Sequence, residues 1–157
     1  MSVLNPVRLS QVLPLQAAKL NVSAMNTLLG GSGRVLVAKG NRITDPFPDV
    51  NGSGYAARVV LMGRNDTPPE FLDMTVPFYF NVKVEVKPGL GDVNIICDNL
   101  HQEIYKLLQD TTITMSSNDQ LFKTWRKWVS TQTRYDEAVG CYYHTAVYQT
   151  IVTPKQD

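Results

Sequence analysis

A chain of 157 residues, 1–157, has the length of one domain and buries about 70% of the surface its unfolded form would expose, so neither a metal nor a disulfide is required for folding. A net charge of +1 provides no global field for gripping nucleic acid, and no apolar run approaches the ~18 residues of a membrane-spanning helix. Charged residues are 18% of the chain, below the usual ~25%, which leaves neutral surface of the kind that subunit contacts use. Met1-Ser2-Val3-Leu4-Asn5-Pro6 has no charged segment leading into an apolar one, so no signal peptide is expected, and synthesis in the cytoplasm is. Two distant cysteines make no disulfide framework.

The first predicted element is a helix over Gln11–Leu29, with Leu15, Ala18, Val22, Met25 and Leu29 on one stripe. Ser10 is a candidate cap, Pro14 sits in the tolerant first turn, and Gly30-Gly31 stop the helix. Arg34–Lys39 reads as a short strand, Gly40–Gly54 as a loop rich in Gly, Pro, Asn and Asp, and Ala56–Met62 as a second strand. Gly63–Thr75 reads as another loop. Val76–Val86 is the clearest strand, because Phe78, Phe80, Val82, Val84 and Val86 alternate with Tyr79, Asn81, Lys83 and Glu85. Asp92 is a plausible cap for a helix over Val93–Gln109, whose stripe is Val93, Ile96, Cys97, Leu100, Ile104, Leu107 and Leu108. Thr111–Asp119 reads as a polar connection, Leu121–Val129 as an alternating segment, and Cys141–Val152 as a β-rich closing element.

This order predicts an α+β fold: a mostly antiparallel sheet with two main helices packed on one face. The last strand carries Tyr142, His144, Tyr148 and Thr150 on one side and Tyr143, Thr145, Val147 and Ile151 on the other, and neither side is clearly polar. A second face of that kind is expected to meet a neighbouring subunit or to lie under loops of its own chain.

Chemistry-bearing patterns are sparse. Gly30-Gly31-Ser32-Gly33 follows a helix and precedes a strand, the reverse of a phosphate-cradling loop, and lacks the ensuing Lys-Ser/Thr. Cys97 and His101 share a helix face, whereas Cys141 and His144 have opposite parity on a strand. The four therefore do not converge as zinc ligands, and nothing places a base beside either thiol. No Gly-x-Ser-x-Gly or His-Glu-x-x-His pattern occurs. The expectation is a non-enzyme with no catalytic, cofactor or metal residues.

Leu121–Val129 interleaves Lys123, Arg126 and Lys127 with Trp125 and Trp128, a mixture able to stack on and neutralise a nucleic acid. Regular alternation would put Lys123, Trp125 and Lys127 on one face and Phe122, Arg126 and Trp128 on the other, which splits the basic residues. In the two long loops, Phe47 lies among prolines, and Phe71 and Leu72 follow Pro68-Pro69, so each is a candidate contact.

Taken together, the opening helix, Arg34–Lys39, Ala56–Met62 with its Pro68-Pro69 loop, the strand Pro77–Val86, the helix Asp92–Gln109 and the tyrosine-rich last strand resemble the tail terminator (tail completion) proteins of tailed bacteriophages. The resemblance covers most of the chain in element order and length, and no diagnostic motif carries it. It implies a structural virion protein of the tail or neck. Such a protein forms a ring, usually a homohexamer, that caps the tail tube, ends tube polymerisation and joins the tail to the neck or head connector. Its implied partners are further copies of itself, the tail tube protein and the neck or head–tail connector protein. Genomic DNA would pass through the lumen without specific binding, and no membrane is involved. On that view Phe47, Phe71, Leu72, Trp125, Trp128, Tyr142 and Tyr148 are candidate interface residues, and Lys123, Arg126 and Lys127 candidates for the lumen or DNA-facing side. A head–tail connector, a tail tube subunit and a small nucleic-acid-binding protein are the alternatives. The Gly40–Gly54 loop and the Trp-rich strand depart from the family layout.

Overall fold

Strand β5, Val76–Lys87, runs through the middle of the sheet, where its strict alternation sends every second side chain to the helices. In the computed structural model the backbone is described for residues 7–8, 12–38, 56–63, 71–72, 76–87, 92–109, 111–115, 120–129 and 133–153, and side chains for 12–38, 56–63, 78–87, 92–109 and 133–151. On one side β5 pairs antiparallel with β3 (Ala56–Gly63), and on the other with β9 (Cys141–Thr153). Beyond β3 lies β2 (Val35–Val37), the one parallel neighbour among the described strands. Beyond β9 come β7 (Gln120–Val129) and then β6 (Thr111–Met115). The short strand β8 (Arg134–Asp136) pairs with the start of β9, which β7 does not reach. A separate pair joins β1 (Val7–Arg8) to β4 (Phe71–Leu72). The α+β class and the mostly antiparallel sheet agree with the sequence reading.

The helices pack on one sheet face. There Ala57, Val59 and Leu61 of β3, Phe78 to Val86 at alternate positions of β5, and Ala146 and Tyr148 of β9 form one core with the helices. Burying each large aliphatic side chain contributes ~1.5–3 kcal/mol against chain entropy. Helix α3, Val93–Leu108, lies over β5 and β9. Asp92 caps it, its carboxylate accepting hydrogen bonds from the backbone N–H groups of Asn94 (2.9 Å) and Ile95 (3.4 Å).

The first predicted helix is two. α1, Val12–Leu20, and α2, Ser23–Leu29, are separated at Val22, whose backbone is extended (φ −127°, ψ 160°). In one continuous helix Leu20 and Met25 would point about 140° apart. The break lets both reach the core with no exposed surface. It also re-phases α1, whose buried side chains are Val12, Gln16 and Leu20, while Leu15 is only half-buried and Ala18 is exposed. The predicted stop is present. Gly30 adopts φ 81°, its N–H reaches the Thr27 carbonyl, and the Gly31 N–H reaches that of Asn26.

Further corrections concern the connections. Thr111–Met115, read as a polar link, is strand β6, because its backbone pairs with β7. Gly63 ends β3, and Phe71–Leu72 within the predicted loop form β4. The Gly40–Gly54 loop lies outside the described residues.

Candidate assembly surface

Local hydrogen bonding builds the β8–β9 hairpin. The Asp136 carboxylate accepts from the Ala138 N–H at 3.0 Å, and the Asp136 carbonyl from the Gly140 N–H at 2.8 Å. Gly140 takes φ 73°, a left-handed conformation that other L residues adopt only with strain. This turn sets Tyr135 directly opposite Tyr142, with ring centroids 4.9 Å apart and planes at 60°. Tyr135 remains 49% exposed and Val139 of the turn 42%, so the hairpin presents an aromatic and an apolar side chain to solvent. Ile95 and Tyr105 on α3 are the other exposed large apolar residues among those described. The sequence analysis singled out none of these four. The signal for the hairpin was present in Asp136, which precedes a four-residue turn over 137–140, and in Gly140, which ends it.

The second sheet face is covered near its centre within the single chain. Ala56, Arg58, Val60, Glu85, Cys141 and Val147 all lie on the side away from the helices and are buried. Subunit contact at that part of the face, one of the two expectations above, is therefore replaced by burial within the chain itself. Arg58 and Glu85 form an ion pair there, and the Cys141 thiol donates to Glu85 Oε2 at 3.2 Å.

The predicted contact residues scatter. Phe47 lies outside the described residues. Phe71 and Leu72 pair through their backbones with Arg8 and Val7, and their side chains are outside the description. Tyr142 is half-buried under Tyr135. Tyr148 is corrected from interface to core: it has no exposed surface, because its ring stacks on Phe80 at 5.8 Å beneath the helices.

For β7 the backbone register is described and the side chains are not. Lys123 stands opposite Ile151, Trp125 opposite Gln149, Arg126 opposite Tyr148 and Trp128 opposite Val147, with a register shift at Lys127. The shift overturns the regular alternation assumed from sequence. Lys123, Trp125 and Trp128 occupy register positions of one parity along β9, and Arg126 the other.

The four sulfur and imidazole residues divide as parity requires. Cys97, His101 and His144 lie on the helix side of the sheet and Cys141 on the other. Burial, with Asp98 nearby, pushes the Cys97 thiol up to about 12. Burial and the Glu85 carboxylate push Cys141 up to about 12 as well. Both thiols are thus fully protonated at neutral pH, and the thiolate is the nucleophile. Among the described residues no three His, Cys, Asp or Glu side chains are gathered as a metal site, and no helix is long and apolar enough to cross a membrane.

A scan against models of known protein families finds no match to this chain, and a search of curated proteins likewise finds none.

Proposed function

We propose that this protein is a structural subunit of a phage virion. It forms a ring that caps the tail tube, ends its polymerisation and joins the tail to the neck. The observation that carries this is the sheet's two unlike ends: among the described strands, the short parallel strand β2 closes one end and the antiparallel strand β6 the other. A ring needs a heterologous joint, one patch of a subunit meeting a different patch of the next, and a sheet with dissimilar ends supplies two such patches. β6, Thr-Thr-Ile-Thr-Met, carries none of the charges or prolines that blunt an edge against pairing. The exposed Tyr135 and Val139 add apolar contact area at the hairpin.

The partners on this view are further copies of the chain, the tail tube protein and the neck or connector protein, with genomic DNA traversing the lumen. The test is the mass of the purified protein in solution together with negative-stain images, alone and with tail tube protein. Discrete rings, or rings seated on tube ends, are the expected result. Long tubes would identify a tube subunit instead, and a strict monomer indifferent to tubes overturns the proposal.

One observation favours a second reading, a nucleic-acid-binding strand. The register shift at Lys127 brings Lys123, Trp125 and Trp128 to positions of one parity. Affinity for DNA that falls steeply with added salt, and that a Lys123→Ala/Arg126→Ala variant lacks, would support it.

A further inference from the structure

Four strands meet in one row on the sheet face away from the helices. Arg134 of β8 stands opposite Tyr143 of β9, Tyr143 opposite Glu85 of β5, and Glu85 opposite Arg58 of β3. The Arg58–Glu85 end of the row is buried and neutralises itself. The other end does not. Strand alternation puts Lys83 and Lys87 on the same face of β5, two residues to either side of Glu85. Both are half-buried, and Arg134 is exposed. The Lys83 ammonium lies over the Tyr143 ring, 4.6 Å from its centroid, so the ring holds that charge between β5 and β8.

Lys83, Lys87 and Arg134 have no carboxylate partner among the described residues. The acids beside them are engaged elsewhere. Glu85 pairs with Arg58 and accepts the Cys141 thiol, and the Asp136 carboxylate accepts the Ala138 N–H. Glu137 is exposed in the turn beyond β8. The connecting segments 88–91 and 130–132 contain no charged residue. This part of the face therefore carries unpaired positive charge on a chain whose net charge is only +1.

The spacing indicates what would meet it. Strand geometry sets the backbone positions of Lys83 and Lys87 about 13 Å apart, and Arg134 about 12 Å from each across two strand spacings. One small anion cannot touch all three. An anion whose charge repeats along its length can, and each DNA strand carries one charge per ~3.4 Å of helix axis. We propose that Lys83, Lys87 and Arg134, grouped around Tyr143, form a nucleic-acid contact that holds the phosphate backbone without reading sequence. The contact stands on side chains of β5, β8 and β9. It needs neither the ring nor the β7 register, so its failure leaves both of those readings standing.

The test is fluorescence anisotropy of a labelled DNA duplex of about 20 base pairs, titrated with the full chain from about 20 to about 150 mM salt. Three phosphate contacts give a slope of about −2.7 in log affinity against log salt. Lys83→Gln and Arg134→Gln are each expected to weaken binding at low salt and to make the slope shallower by about 1. Lys106→Gln, which removes an exposed cation of α3, should change neither. No binding at the lowest salt overturns the contact, as does a Lys106→Gln effect equal to that of Arg134→Gln. Loss of binding in Lys123→Ala/Arg126→Ala but not in Lys83→Gln or Arg134→Gln overturns it in favour of β7. Displacement of the duplex by inorganic phosphate at matched ionic strength also overturns it, by revealing a small-anion site. Should Lys83→Gln fail to fold, the exposed Arg134→Gln decides alone.

Discussion

Arg58 and Glu85 are direct cross-strand partners in β3 and β5, and their side chains meet at 3.3 Å on the face away from the helices with 5% and 4% of their surface exposed. The same Glu85 oxygen accepts the Cys141 thiol, so three strands share one buried polar cluster. Removing one partner of a buried pair leaves an uncompensated charge, whereas removing both does not. Arg58→Met is expected to cost about 3–5 kcal/mol and Arg58→Met/Glu85→Leu much less. Urea unfolding of the two variants and their parent measures the difference.

Tyr148 and Tyr135 are expected to separate folding from assembly. Tyr148→Ala removes a ring with no exposed surface and should cost about 3–5 kcal/mol of stability. Tyr135→Ala trims a ring 49% exposed and should leave the fold within about 1 kcal/mol of wild type while weakening the proposed self-assembly. Unfolding curves and light scattering on both variants supply the two readouts.

Both thiols lie well above their ordinary value at about 12, so alkali should destabilise the fold. The stability they contribute is fully present below the unfolded thiol's range near pH 9, and is lost as pH rises from there through about 12, because only the unfolded chain releases these protons readily. Thiol-reactive dye at pH 8 should label the native protein slowly and the urea-unfolded protein at once. Rapid native labelling would contradict the burial of Cys97 and Cys141.

Two caps bracket the helices. Asp92→Ala removes the acceptor at the start of α3 and should cost ~1 kcal/mol. Gly30→Ala forces a side chain into φ 81° and should cost a similar ~1 kcal/mol. Each is expected to lower the melting temperature by about 2–4 °C in calorimetry.

Much of the fold is legible in the sequence. β5 announced itself because half-buried strands alternate, α3 because its apolar residues recur every three or four positions, and Asp92 and Gly30 because capping chemistry is local. His101 was placed on the Cys97 face of α3 by spacing, and its packing against His144 was not legible because contacts between distant segments leave no local pattern. β6 was missed because Thr-Thr-Ile-Thr-Met lacks clear alternation and becomes a strand by pairing with β7. Tyr148 was misplaced because a tyrosine in a strand looks the same in sequence whether it faces helices or solvent.

Sequence alone determined which segments are helix and strand over most of the described chain, where two helices start or stop, and that Cys141 and His144 diverge. Backbone sterics and side-chain periodicity act over a few residues, and a linear string records them. Tertiary structure alone decided the break at Val22, the register shift at Lys127, the exposed Tyr135, and the meetings of Arg58 with Glu85 and His101 with His144, 27 and 43 residues apart. Those depend on which faces close over which, and that is settled when the whole core packs at once, not by any neighbourhood of the chain.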